Sequence, residues 1–157
     1  MGTLVGIYVA DHAGAPMRSV AGANLVPGKG IEGDRYFGNR GKFSPDVQDP
    51  DHEVTLIEIE QIRHFNVSSG LGFGPEDLRR NLVTEGVRIN DLVGREFAIG
   101  DVVLRGIRLC EPCDYLAGMT DRQVLTGLVH RAGLRAGIVR GGTIKVQDTV
   151  AARGDSR

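Results

Sequence analysis

An all-β fold, a barrel or sandwich of about seven short strands with a few short helices, is predicted by three features of this chain. Its 157 residues include 23 glycines with no low-complexity repeat, which suits many tight turns better than a helical bundle. Seven β-like runs are bounded by Gly, Asp, Asn or Pro. Helical signals, by contrast, are few.

Taken in order, the runs are Leu4 to Val9, Glu53 to Ile57, Asn81 to Val83, Arg95 to Ile99, Val102 to Leu109, Leu134 to Arg140 and Thr143 to Val150. That number is enough to close a sheet. Gly141-Gly142, between the last two runs, reads as a hairpin turn, because glycine accepts the positive φ that primed turns require. Thr120 to Gln123 has the form of a capping box, with Val124, Leu125, Leu128 and Val129 on one helix face behind it and Gly133 as a stop. A second short helix is expected from Glu58 to Phe65, and Pro75-Glu76-Asp77 reads as the first turn of another. Gly38 to Asp51 is polar and rich in Pro and Asp, a long loop able to cover a site. One domain over residues 1–150 follows, with 151–157 as a flexible tail.

Nineteen Lys plus Arg stand against twenty Asp plus Glu, for a formal net charge of −1. The chain therefore lacks the basic excess that drives non-specific binding to nucleic acid or membrane surfaces, and neither is expected as a partner. Any anion site must be local. Without an apolar leader or a long apolar run, the chain reads as soluble, unprocessed and cytoplasmic.

The chain's two cysteines, Cys110 and Cys113, lie in Cys110-Glu111-Pro112-Cys113 at the end of the fifth run. A thiolate is both a nucleophile and a soft-metal ligand, so the pair admits several chemistries. Four readings stand side by side. The cysteines can be small apolar packers at a strand end. They can belong to a structural zinc site, for which His12, His52, His64 and His130 are scattered companions. They can form a thioredoxin-like redox pair, although the expected helix starts only at Thr120. Finally, they can form a sulfur or soft-metal site.

Arginines bear on that choice. Arg79-Arg80-Asn81 joins a helical turn to a strand, and offers planar donor forks beside an amide, a set suited to phosphate plus a heterocycle edge. Arg105 and Arg108 lie on opposite faces of their strand unless Gly106 is a bulge. Arg131, Arg135 and Arg140 flank the last expected hairpin. Gly30 to Tyr36 holds Asp34-Arg35 after two glycines, which is either a turn aiming a charged pair or a local ion pair on a structural turn. It is no P-loop, since no Gly-Lys-Ser/Thr ends it. His130 falls in the last turn of the helix expected from Thr120, where an imidazolium favours the helix C-terminus.

Gly30 to Arg35, Glu53 to Glu58, Arg79 to Val83, Ile99-Gly100-Asp101, Cys110 to Cys113, and Arg135 to Val139 through Asp148 together resemble a stand-alone MOSC domain, the module named after the C-terminal part of molybdenum cofactor sulfurases. The resemblance runs in order over nearly the whole chain. It implies a closed β-barrel similar to the barrel domain of pyruvate kinase. It further implies that Cys113 is the molybdenum ligand of a pterin cofactor (molybdopterin), as in the larger amidoxime-reducing relatives, or a sulfur carrier, with Cys110 beside it as the second reactive thiol. Arg79, Arg80, Asn81, Asp34 and Arg35 are the implied cofactor-binding residues. The expected chemistry is reduction of small N-hydroxylated compounds, with an electron-transfer partner; the alternative is a non-catalytic module that takes the cofactor, or sulfur from a donor, and delivers it to a partner enzyme. Arg80 stands where the amidoxime-reducing type has Pro, and Gln147 where many stand-alone members have Gly.

Overall fold

Leucine and β-branched residues dominate the strand runs, and the structure, a computed structural model describing residues 1–37 and 52–153, bends those runs into a ring. The described strands are β1 (Gly2–Val9), β2 (Arg18–Ser19), β3 (Gly22–Val26), β4 (Gly30–Ile31), β5 (Val54–Glu58), β6 (Leu82–Glu85), β7 (Glu96–Ile99), β8 (Val102–Leu109), β9 (Leu134–Arg140), β10 (Gly142–Lys145) and β11 (Thr149–Ala152). The ring order is β11-β7-β8-β9-β5-β6-β1, and β1 pairs with β11 to close it. Its strands are antiparallel neighbours except β5 and β6, which are parallel and are joined through a helix. Strand β2 pairs antiparallel with the end of β1, and β10, β3 and β4 form a separate small sheet. The fold is a closed, mixed seven-stranded barrel with one extra strand.

Six of the expected runs become single barrel strands. The seventh divides, because the chain turns at Val146-Gln147, with Gln147 at φ 87° and the Lys145 N–H donating to Asp148 Oδ2 at 2.9 Å. Its first part is β10, which leaves the ring for β3; its second part is β11, which closes the ring and carries regular structure through Ala152, two residues into the expected tail. Gly141-Gly142 is not a hairpin, since β9 and β10 do not pair. Glycine is needed there for close approach: a Cβ on Gly141 would lie 2.4 Å from the Leu25 carbonyl oxygen. The expected covering loop, Gly38 to Asp51, lies outside the described residues.

Helix α1 (Ile59–Ser69) runs one turn beyond its expected end and stops at Gly70, φ 78°. Pro75–Leu78 is a 3₁₀ turn, with the Gly74 N–H donating to Asp77 Oδ2. Of the helix expected from Thr120, only a single turn forms. Ahead of it, α2 (Asp114–Met119) starts directly after Cys113, and Thr120 ends it by donating its hydroxyl to the Leu116 carbonyl at 2.7 Å. One turn, α3 (Val124–Gly127), follows. Val124 and Leu128 are nevertheless fully buried, so the apolar spacing reported burial correctly while the polar residues were spent on turns.

Two cores result. Leu4, Leu56, Leu82, Phe97, Leu104 and Leu134 fill the barrel, whereas Ile57, Ile62, Phe65, Val83, Leu116 and Leu128 pack helices on its outside. Strand β5 contributes to both and is buried along its length. Gly133 brings the chain back onto it: φ is 120°, and a Cβ there would lie 2.0 Å from the Leu56 carbonyl oxygen.

Gly133→Ala is expected to cost about 2–4 kcal/mol, from backbone strain plus displacement of β5. Gly28→Ala, at φ 79° but in open space, is expected to cost only about 1 kcal/mol. Urea unfolding of the two variants checks this, and equal losses would contradict it.

Candidate functional site at the barrel mouth

Arg79, Arg80 and Asn81 sit where the 3₁₀ turn hands over to β6, and each does different work. Arg79 takes φ 60°, in the left-handed region unusual for a side-chain-bearing residue. That conformation sends consecutive side chains to different places. Arg80 donates from Nε to the Ala132 carbonyl (2.8 Å), from Nη1 to Leu78 (3.2 Å) and from Nη2 to Cys110 (3.0 Å). Asn81 is fully buried: its Oδ1 accepts from the Thr55 N–H and hydroxyl, and its Nδ2 donates to the Tyr8 carbonyl. It ties β5 and the start of β6 to β1. Asn81 lies away from the cavity wall, so the amide expected to read a pterin edge serves the barrel instead. Arg80 lines the cavity, but its described bonds all go to backbone carbonyls, which makes it a clamp.

The Arg80 clamp and the Cys110 N–H, which donates to Gly133 at 2.8 Å, fix the backbone of Cys110. Its side chain is only 2% exposed. Cys113 is half-buried and immediately precedes α2; its carbonyl accepts the Ala117 N–H at 2.9 Å, and its thiol makes no capping bond. Both cysteines line a partly open cavity at the barrel mouth. Tyr36, Tyr115 and Leu116 form its apolar wall, and Arg35, Arg79, Arg80 and Arg135 its cationic one.

The cations are unequally satisfied. Arg35 Nη1 pairs with Asp34 at 3.0 Å, and its Nη2 donates to the Arg79 carbonyl at 3.2 Å. Asp34 is fully buried and also accepts the Ala10 N–H, so it positions Arg35 and does not itself face the cavity. Arg79 Nη1 donates to the Ala15 carbonyl at 2.7 Å, but Nη2, in a residue only 8% exposed, has no hydrogen-bond partner among the described residues. Burial first, then the Arg35 charge, push the Arg79 guanidinium below its ordinary pKa, against opposing effects of Tyr115, Tyr36 and Asp34. An arginine keeps its proton even so. Among the described residues, the site therefore holds a buried cation short of one acceptor, an arrangement that favours an anion.

Glu111, between the cysteines, turns its carboxylate to His130: Oε1 accepts the His130 N–H at 2.7 Å, and Oε2 meets Nδ1 at 2.6 Å. His130 is held at φ 59° with its carbonyl accepting from Asn90 Nδ2. It caps no helix, because α3 ends at Gly127; its partner is the cysteine loop. Partial burial raises the Glu111 pKa, but the His130 N–H, the His130 imidazole and Arg80 outweigh it, leaving the carboxyl below its ordinary value. Glu111, Tyr36, Thr55, Tyr115 and Arg135 were not among the expected site residues. Glu111 was visible inside the cysteine motif, whereas Thr55 and Arg135 meet only through strand register.

A family model described as the MOSC domain matches residues 19–151. The chain belongs to the MOSC domain family. No curated protein sequence matches it closely. Among solved structures, the MOSC chain is similar to the YuaD protein of Bacillus subtilis at TM-score 0.81 and 17% identity, over 96% of this chain and 94% of that one. It is similar to YiiM of Geobacillus stearothermophilus at 0.75 and 12%, over 98% and 76%, and to YiiM of Escherichia coli at 0.64 and 18%, over 98% and 70%. At these identities the likeness shows the fold. Among the described residues no helix is long and apolar enough to cross a membrane.

Because its folded pKa is lowered, Glu111 contributes stability that is complete above the ordinary glutamate value of about 4.3 and fades as pH falls through the lower folded value. The stability difference between the wild type and Glu111→Gln is therefore expected to shrink below about pH 4. Urea titrations at neutral and acid pH check this, and a pH-independent difference would contradict it.

Proposed function

We propose that the mouth holds a molybdenum pterin cofactor, with Cys113 as its protein thiolate ligand and Arg79 as the receiver of its phosphate. The observation that carries this reading is the buried Arg79 Nη2, unpartnered among the described residues, on a residue lining the cavity that also holds a half-buried thiol with no capping role. Among the described residues no cluster of three or more His, Cys, Asp or Glu side chains can hold an ion by itself. A metal bound here must bring donors of its own, which suits a cofactor needing one thiolate from the protein. Membership of the MOSC family, associated with this cofactor, supports the same choice.

When bound, the group would supply the redox chemistry. The protein's own part is separable. Arg79 neutralises the cofactor phosphate through a charge-assisted hydrogen bond, Arg35 holds the Arg79 carbonyl and adds positive potential, and Arg80 fixes the cysteine loop. Tyr36, Tyr115 and Leu116 exclude water from the inner wall. Small N-hydroxylated compounds remain the proposed substrates, with reducing equivalents supplied by a partner. The second use of the same thiol is as a persulfide sulfur carrier, favoured by the neighbouring Cys110 on the same wall.

The protein should be purified from a host that makes the cofactor, and its metal content and intact mass measured. Bound molybdenum is expected in the wild type and in Cys110→Ser, with loss in Cys113→Ser. Arg79→Ala should weaken retention about 10- to 100-fold, as removal of a charged hydrogen bond implies. Equal molybdenum in Cys113→Ser would overturn the ligand assignment. A Cys113-dependent gain of one sulfur atom without metal would select the carrier role.

A further inference from the structure

Cys110 is a nucleophile that a single-thiolate cofactor site leaves unused. Its backbone is pinned on both sides: the N–H donates to the Gly133 carbonyl at 2.8 Å, and the carbonyl accepts Arg80 Nη2 at 3.0 Å. The next residue is held too, since the Glu111 carboxylate takes the His130 N–H at 2.7 Å and meets its Nδ1 at 2.6 Å. Pro112, with φ fixed by its ring, then leads to Cys113 at the start of α2. The loop is thereby held with both cysteines on one cavity. Among the described residues, their access differs. Cys110 is only 2% exposed and lines this inner cavity, whereas the half-buried Cys113 also lines an adjoining outer pocket walled by His52, Arg108 and Pro112.

We infer that Cys110 is the resolving thiol for Cys113, and that the metal-free pair reduces small organic disulfides. A disulfide RSSR entering the mouth meets Cys113 first. The Cys113 thiolate attacks one of its sulfurs and breaks the S–S bond, giving Cys113–S–S–R and one RS⁻. The Cys110 thiolate then attacks the Cys113 sulfur, forms the Cys110–Cys113 bond and expels the second RS⁻. The protein thiols give up two electrons to the disulfide, which leaves as two thiolates, and their two protons pass to solvent. The second step closes a loop of only four residues, so it outruns attack by a thiol from solution. A reducing dithiol reopens the pair by the reverse exchange. This activity needs only the two thiols and is independent of the proposed cofactor. The closed pair offers no thiolate to a metal, so closure and ligation exclude one another at Cys113.

Glutathione disulfide is the probe. The full chain, made in a host without the cofactor, is reduced, freed of reductant and mixed with it in the absence of air, and the intact mass is followed. The wild type is expected to lose two hydrogen atoms, release two glutathione molecules and keep no lasting adduct. Cys110→Ser and Cys110→Ala should stop at one glutathione on Cys113, in an adduct about 100-fold longer-lived than in the wild type. Cys113→Ser should stay unmodified, because Cys110 is buried. A wild type that stays unmodified, or keeps its adduct as long as the Cys110 variants do, would overturn the inference; so would modification of Cys110 in Cys113→Ser at the wild-type rate. Closure is read from the wild-type mass alone, so the test survives a variant that fails to fold. The molybdenum measurement separates the two claims: a lasting wild-type adduct removes the resolving role and leaves the ligand assignment standing, whereas molybdenum missing from every preparation counts against the ligand assignment and leaves the exchange result standing.

Discussion

The Arg80 guanidinium holds three backbone carbonyls from three separate segments: Leu78 before the barrel strand, Ala132 after α3, and Cys110 at the head of the cysteine loop. Only 8% of the residue is exposed, so the bonds form where competing water is scarce and an unmet acceptor would be costly. The position of both thiols depends on this clamp. Arg80, expected as a cofactor-binding residue, thus lines the cavity and also acts as a scaffold for the cysteine loop.

The neighbours of Arg80 acquire their roles from the same turn. The left-handed conformation at Arg79 lets Arg80 point to the loop, Asn81 into the barrel wall, and Arg79 into the cavity. Strain of this kind persists where the surroundings over-determine it, and here the Arg35 bond to the Arg79 carbonyl and the Arg79 bond to Ala15 do so. The incompletely paired guanidinium is the chemical consequence. The net charge of the whole chain is −1, yet Arg35, Arg79, Arg80 and Arg135 all line the cavity that holds both cysteines.

Much of the fold was legible because short apolar runs bounded by glycine and polar residues leave little choice but strands. The exceptions share a cause. Thr143 to Val150 reads as one strand, but Asp148 accepts backbone hydrogen bonding locally and breaks the run at Gln147. Thr120 and Asp121 read as a helix start, yet the hydroxyl closes the preceding helix. The strands of the small β10-β3-β4 sheet carry too few residues or too little apolar content to announce themselves. At the site, both cysteines, Arg35, Arg79 and Arg80 line one cavity. Asn81 and Asp34 instead support the structure behind them, and Arg135, Arg108 and Glu111 join the walls through a register shift and a turn that spacing along the chain does not reveal.

Anomalous diffraction at the molybdenum edge, on crystals of the wild-type protein purified from a cofactor-producing host, tests the central claim most directly. The account predicts one molybdenum peak at bonding distance from the Cys113 sulfur, with phosphate density against Arg79 Nη2. A peak ligated by Cys110, or cofactor density outside the cavity walled by Arg79 and Tyr115, would contradict it.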